Sequence, residues 1–398
     1  MLPPAVNAMN RAPSKASLYL IAANCIMAGA MTRCVAALKR IAAGIVLPAI
    51  GTAVFAQAPH AAEAPARPVT LGEPTLGRIQ IFDDWAVGCD NRLSCSAVSL
   101  VPEGAGKAYS VLVSIRREGG PAGISALRLI GAEQLRGKID LIVDNRALTR
   151  ATPSHDMIEM LGPAALEMIR ALGSSYAFEL REKKTLVDAP SLRGLPAALR
   201  YIDEQQGRVG SKGALAALGD APADLAKPVP PDPVVPVGAA TIADPAPLAF
   251  TADEQSAARR LAVCEGRLDS VLPLETHALD REHALVLLPC NAGEYNVSAV
   301  PLVATGGPGQ WHFRIARFDH VPGSTGDPGT PPLIVNARWN PVRGELSSFA
   351  KGRGLGDCGT AETYKWDGEE FRLTEARSMP VCRGAWEWPV LYSVNAQG

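Results

Sequence analysis

Six cysteines lie downstream of an N-terminal leader and fall into three close sequence pairs: Cys89 with Cys95, Cys264 with Cys290, and Cys358 with Cys382. An even set of cysteines behind a secretion signal points to an oxidising compartment, where disulfides form and persist. Each bridge also fixes which segments can lie side by side. Six cysteines allow fifteen pairings, and nearest-neighbour pairing is the working assignment among them. The pattern says where the chain works and how it is held together. It names no reaction.

The leader is read from Met31. Arg33, Lys39 and Arg40 precede the apolar stretch Ile41 to Phe55, and Val54-Phe55-Ala56 stands before Gln57. These are the basic region, apolar region and small-residue cleavage site of a secretory signal. Cleavage is expected after Ala56, with Ala58 as second choice. A second apolar run, Leu18 to Met31, lies upstream; one signal suffices, so translation is expected to start at Met31. A lipoprotein start at Cys25 is disfavoured because Asn24 occupies a position that needs a small residue. Neither apolar run is long enough without interruption to make a stable membrane span. The mature chain is therefore expected to be periplasmic or secreted.

Residues 1–56 hold five of the 39 basic residues (Arg11, Lys15, Arg33, Lys39, Arg40) and none of the 40 acidic ones, which leaves a mature net charge of −6. Nucleic acids and anionic membranes both call for a basic surface. Nucleic-acid binding is excluded on that ground.

One seam divides the chain. Residues 220–249 carry Lys227-Pro-Val-Pro-Pro-Asp-Pro-Val-Val-Pro236 and Asp244-Pro-Ala-Pro247. Prolines lack the donor a sheet requires and favour extended geometry, so the segment reads as a semi-rigid linker. It separates blocks 76–219 and 250–398, each large enough for a core. Residues 57–75, rich in Ala and Pro, are expected to be disordered.

In the first block, Val111, Val113 and Ile115 alternate with Leu112 and Ser114, and Ile139, Leu141 and Val143 recur at period two. Pro163 suits the first turn of a helix over 164–172, and Leu195, Ala198, Leu199 and Ile202 give helical spacing through 193–206. Strands in runs with two helices added predict an α+β domain built on an antiparallel sheet. Cys89 and Cys95 flank the turn-rich residues 90–94, which suits facing positions of a hairpin.

The second block reads as mainly β and disulfide-stapled. Trp366-Asp-Gly-Glu-Glu-Phe371 places a turn between aromatic-containing runs, a hairpin signal. Arg353-Gly-Leu-Gly-Asp-Cys-Gly359 sets three glycines beside a bridging cysteine. Thr251-Ala-Asp-Glu254 is a capping box that opens a helix through Cys264. A bridge to Cys290 would pin that helix to a strand over 284–289.

Some patterns invite a catalytic reading. Ser348-Phe-Ala-Lys351 matches Ser-x-x-Lys, but Gly352 and Gly354 follow at once and discourage the helix that would bring the two together. Ser154-His155-Asp156 is a triad in name only, since triads are assembled from separated elements, and a helix N-cap is the better account. His277, Asp280, Glu282 and His283, and again His312, Asp319 and His320, are zinc-ligand types at spacings that fit no zinc motif. No catalytic residue, metal site or cofactor is assigned.

A candidate binding surface remains: Arg353, Asp357, Trp366, Asp367, Arg383, Trp386 and Trp388. Trp and Arg are favoured at interface hot spots. The competing account makes the tryptophans core and pairs Arg353 and Arg383 with Asp357 and Asp367.

Two resemblances add to this. Phe82-Asp-Asp-Trp85-Ala-Val-Gly-Cys89, Cys95, Val113-Ser-Ile-Arg-Arg117 and Ser191-Leu-Arg-Gly-Leu195-Pro-Ala-Ala-Leu199 resemble the invasion-associated locus B family of secreted bacterial proteins over about residues 78–207. Lys351-Gly-Arg-Gly-Leu-Gly-Asp-Cys358-Gly, Tyr364-Lys-Trp-Asp-Gly368-Glu-Glu-Phe371-Arg-Leu, Cys382-Arg-Gly384 and Trp388-Pro389, with Cys290 and Gly293-Glu-Tyr-Asn296, resemble the bacterial family called domain of unknown function 1176. That resemblance spans nearly the whole mature chain. It implies an envelope protein of Proteobacteria and no particular chemistry. The expected function is a non-enzymatic binding module whose partner is an envelope protein or a cell-wall component. The alternatives are an envelope hydrolase using Ser348 and Lys351 or an Asp/His site, and an inhibitor of an envelope-directed enzyme presenting the loop Gly352 to Gly359.

Overall fold

Alternation of apolar and polar residues builds most of this molecule, as in Ser125–Ile130, where Ser125, Leu127 and Leu129 turn inward and their neighbours outward. The computed structural model describes residues 72–394, apart from 106–110, 132–134, 236–247, 265–271, 324 and 327–328. The expected signal region, the leader up to residue 71 and the later part of the Pro-rich segment lie outside the described residues.

In chain order the first half runs β1 (Gln80–Phe82), β2 (Trp85–Cys89), β3 (Cys95–Ser99), β4 (Leu112–Arg117), β5 (Ser125–Ile130), β6 (Ile139–Val143), β7 (Arg146–Ala151), β8 (Met157–Leu161), α1 (Gly162–Gly173), β9 (Phe178–Glu182), β10 (Thr185–Asp188) and α2 (Leu195–Gln206). These strands form a six-stranded antiparallel sheet ordered β1-β2-β3-β4-β5-β8 and a four-stranded one ordered β10-β9-β6-β7. Pro163 starts α1 as its fixed φ allows, and Ala165, Met168, Ile169 and Leu172 make the buried stripe. α2 buries Leu195, Ala198, Leu199 and Ile202 and ends at Gly207 in the left-handed region. Both helices join a core centred on Trp85, Ile115, Leu127 and Leu129.

Ser154-His155-Asp156 departs from expectation. It caps no helix. Ser154 and Met157 exchange backbone hydrogen bonds of 2.8 and 3.1 Å around His155 and Asp156, both at positive φ. Short polar side chains favour a left-handed turn as readily as an N-cap, and here the turn leads into β8.

The second half opens with α3 (Ala252–Ala262), whose capping box is present: Thr251 Oγ1 accepts from Glu254 N, and Glu254 Oε2 accepts from Thr251 N at 2.7 Å. Then follow β11 (Glu275–Ala278), β12 (His283–Ala292), β13 (Val297–Thr305), β14 (His312–Ile315) and β15 (Ile334–Val335), which make one sheet. β16 (Arg338–Asn340), β17 (Glu345–Lys351), β18 (Gly359–Trp366), β19 (Phe371–Met379) and β20 (Val390–Ser393) make a meander in sequence order.

The cysteines pair with their nearest neighbours. Cys89 and Cys95 are directly opposed in the β2–β3 hairpin, Cys264 pins the end of α3 to Cys290 in β12, and Cys358 joins the start of β18 to Cys382 after β19.

The halves on either side of the seam keep their own sheets and share a further core. Ala86, Val98, Leu100 and Leu112, on the other face of the six-stranded sheet, pack with Cys358, Met379, Ala385 and Trp388. A Cβ on Gly88 would stand 2.8 Å from both Ile79 Cδ1 and Leu391 Cδ2, so this glycine permits the close approach. Gly77 N donates to Leu391 O at 2.8 Å, and Ser393 N to Asn91 Oδ1 at 2.8 Å. The described part of the Pro-rich segment lies along the first half, with Ala226 and Val235 buried and Asp232 paired to Arg92 at 2.8 Å. All described residues fall within one compact unit, Pro68–Gly398.

Candidate functional site

β17 ends at Lys351 and its partner β18 begins at Gly359, directly opposite. Gly359 has φ +136°, and a Cβ there would sit 1.9 Å from Ala350 O, so the return needs glycine. The intervening loop closes on itself. Gly352 N donates to Cys358 O at 2.8 Å and Gly356 N to Arg353 O at 2.9 Å. Arg353 presents Nε and Nη2 to the two oxygens of Asp357 at 2.7 and 2.5 Å, a fork that fixes both side chains. Asp357 is buried and also accepts from Gly384 N at 2.7 Å. The guanidinium of Arg353 holds the Asp357 carboxyl below its ordinary range. At the crown, Leu355 stays 52% exposed.

Two asparagines lace this loop to the neighbouring sheet. Asn296 Nδ2 donates to Lys351 O at 2.9 Å and its Oδ1 accepts from Lys351 N at 3.2 Å. Asn336 Nδ2 donates to Asn296 Oδ1 at 2.9 Å and to Phe349 O at 2.8 Å, while its own Oδ1 accepts from Val297 N. Tyr295, 38% exposed, donates its hydroxyl to Gly352 O at 3.2 Å. Asn336 escapes sequence reasoning; its only signal is a lone amide among Leu333, Ile334, Val335 and Ala337.

The candidate binding residues separate into two places. Arg353, Asp357, Arg383, Trp386 and Trp388 gather around the Cys358–Cys382 bridge. Trp388 is core: it stacks on Phe349 at 5.2 Å between centroids, and its Nε1 donates to Ala385 O. Trp386 packs, partly buried, on the same cluster. Arg383 pairs with Asp84 of the first half, not with Asp367, and donates further to Val101 O and Asp83 O, each at 2.8 Å. Burial would raise the Asp84 carboxyl, but the Ser191 hydroxyl and the Arg383 and Arg193 guanidiniums outweigh it and hold the group below its ordinary value. Asp84, quoted in the sequence only as part of a family motif, is the anchor of that clamp.

Trp366 and Asp367 sit at the far end of β18. Trp366 is buried and donates Nε1 to Asp280 Oδ2 at 2.8 Å. Asp367 accepts from Arg372 Nε at 2.7 Å and from the backbone of Glu369 and Glu370.

Ser348 is 2% exposed, and its Oγ accepts from Val335 N at 3.3 Å. Lys351 lies three residues along the same strand and so on the opposite face, which leaves no Ser-Lys dyad. Ser348 instead stands opposite Glu362. Burial pushes the Glu362 carboxyl up against the donation from Gly323 N, and pushes Asp319 up to about 6 against the donation from Leu373 N and the charge of Arg372. The buried Tyr364 hydroxyl is also raised, by burial first and then by the Glu362 and Asp319 charges. His277 contacts Glu275 at 2.7 Å and His283 contacts Asp280 at 2.9 Å. His312 is exposed at the start of β14, and burial lowers the pKa of His320. Among the described residues no three His, Cys, Asp or Glu side chains gather to hold a metal ion. A mostly apolar cleft of about 510 Å³ opens beside β11, lined by Leu274, His277, Leu287, Pro289, Val297 and Ala299. No helix among the described residues is long and apolar enough to cross a membrane.

Residues 79–395 match the family described as "Protein of unknown function (DUF1176)". Among curated proteins the chain is similar to "Uncharacterized protein YpfG" of Escherichia coli (strain K12), 30% identical over 336 residues that cover 78% of this chain and 91% of that protein. No solved structure matches. The family match runs through both halves, and the comparisons do not show the likeness of the first half to the invasion-associated locus B family.

Proposed function

We propose that this chain, which belongs to the DUF1176 family, works in the periplasm or outside the cell as a non-enzymatic interaction module. Its second half contacts another envelope protein or a cell-wall component through the crown of the loop 352–358. One observation carries this reading: the loop is closed by its own backbone bonds, an Arg–Asp fork and a disulfide, yet it leaves an apolar side chain, Leu355, half exposed beside Tyr295. Stability gains little from leaving Leu355 exposed. Association gains from it, because a loop that already holds one conformation loses less entropy on docking. The three disulfides fit an oxidising compartment.

The same self-closure favours a second reading within this class, an inhibitor of an envelope-directed enzyme, since an inhibitory loop must keep its shape inside a foreign cleft. The hydrolase reading has less support, with Ser348 buried and turned away from Lys351.

A photo-crosslinking residue at position 355, expressed in cells, tests the proposal against the same residue at Tyr176, 96% exposed in the first half. A discrete adduct from 355 that is absent from 176 and lost on Tyr295→Ala is expected. Equal or absent adducts at both positions would sink the reading.

A further inference from the structure

The three bridges differ in what covers them. Cys89 and Cys95 are 7% and 0% exposed, and Cys264 and Cys290 are partly buried. Cys358 is 2% exposed, but its partner Cys382 is exposed, and it alone of the six. Arg383 N donates to Val381 O at 3.1 Å, so Cys382 stands at the apex of a three-residue turn in the segment that follows β19. A thiolate arriving from solvent therefore meets Cys382 and not Cys358. Access, and which sulfur is attacked, govern thiol–disulfide exchange.

Opening this bridge would release neither segment. Arg383 is held by Asp84, Val101 O and Asp83 O, which fixes the residues after Cys382 to the first half. Asp357, beside Cys358, accepts from Gly384 N at 2.7 Å, a direct tie between the two segments that contains no sulfur. The two thiols would stay close, and reclosure would be intramolecular at a high effective concentration. The crown of the loop would feel the change, because the bridge lies against Gly352, where a Cβ would stand 2.7 Å from Cys358 Sγ and 3.4 Å from Cys382 Sγ. An accessible bridge between independently anchored segments can open and close in the folded protein. The Cys89–Cys95 bridge, closed from solvent, lacks the first of these properties.

We propose that Cys382 is a thiol-exchange site for a dithiol oxidoreductase. The partner's thiolate attacks Cys382 Sγ; a mixed disulfide forms, the Cys358–Cys382 bond breaks, and Cys358 leaves as a thiolate that takes up a proton. The partner's second thiol then loses its proton and attacks its own sulfur of the mixed disulfide, and Cys382 leaves as a thiolate and is protonated. Two electrons pass from the dithiol, which ends as a disulfide, to this chain, which ends with two thiols. The same steps in reverse close the bridge. This chemistry is independent of what the crown docks.

The probe is a thioredoxin-type protein with its resolving cysteine replaced by serine. It is mixed with the full oxidised chain under native conditions, and adducts are mapped by non-reducing mass spectrometry. A mixed disulfide at Cys382 with Cys358 as a free thiol is expected, formed about tenfold or more faster than any adduct at the other two bridges. An adduct at Cys358, first attack at another bridge, or no adduct until urea unfolds the chain overturns the site. Two variants give a second reading. In Cys358→Ser the freed Cys382 should take up a maleimide within the folded protein, and in Cys382→Ser the freed Cys358 should stay protected. Equal labelling of the two overturns the assignment of the attacked sulfur. Should either variant fail to fold, trapping on the unaltered chain decides alone.

Discussion

Arg383 donates to Asp84 across 299 residues of sequence and thereby fastens the segment after Cys382 to the turn that opens β2. The Asp84 side chain is 2% exposed and also meets Arg193, whose own side chain is 63% exposed. Removing one partner of a buried pair leaves a charge uncompensated. Asp84→Ala should therefore cost about 3–5 kcal/mol in urea unfolding, whereas Arg193→Ala, on the exposed arm of the same network, should cost under about 1 kcal/mol. Equal losses from the two variants would contradict this ranking.

The disulfides should rank by the chain they close. Cys358–Cys382 spans 24 residues and Cys89–Cys95 spans 6. On a chain-entropy account, replacing the first pair by serine costs about 3.4 kcal/mol and the second about 2.2 kcal/mol. Denaturation midpoints of the two double-serine variants check the order. Loss of the first pair should also free the loop 352–358, seen as faster amide exchange at Gly352 and Gly356.

Asp319 sets a pH dependence of unusual sign for a carboxylate. Its side chain is buried against Arg372, with Glu370, Tyr364 and Tyr392 also within reach of its charge, and its folded pKa of about 6 lies above the ordinary 3.8. A raised folded pKa means stability that is fully present below the unfolded value and lost as pH rises through the folded one. Relative to Asp319→Asn, the unaltered protein should lose roughly 2–3 kcal/mol between pH 4 and pH 7. Asp84 and Asp357, held low by their arginines, act in the opposite sense: their contributions fade only as pH drops below about 3.8. A flat difference curve between the two proteins from pH 4 to 7 would falsify the assignment.

Ser348 should behave as a packing residue. A fluorophosphonate probe is expected to leave it unlabelled in the folded protein, because its Oγ is enclosed and out of the probe's reach. Lys351→Ala should leave stability within about 0.5 kcal/mol, since the contacts this residue makes to Asn296 are through its backbone.

The local grammar of the chain is legible in its sequence. The Thr251–Glu254 capping box, the Pro163 start of α1 and the period-two strands depend on residues within a turn or two of each other, and each forms as expected. The partner of Arg383 is not legible, because a charge alone does not select among distant carboxylates; Asp367, the nearer candidate in sequence, is already taken by Arg372. Trp366 and Trp388 carry the composition of an interface yet fill cores, since burial of a large ring is settled by which sheets meet and not by its neighbours in sequence. The Pro-rich segment reads as a spacer because proline cannot join a sheet, but its valines and alanines can still bury: Val235 is 1% exposed.

The hydrogen bond from Gly77 to Leu391 sets an order of assembly. A chain that emerges N-terminus first, from a ribosome or a translocation pore, makes its six-stranded sheet long before β20 exists. Until Met379, Ala385 and Trp388 arrive, Ala86, Val98 and Leu112 lack most of their cover. The Cys89–Cys95 bridge, closed within one hairpin, can hold that early sheet in register during the wait. A truncation that removes the chain from Met379 onward is then an open clasp: it would expose a surface near the beginning of the protein and invite association there, far along the sequence from the cut.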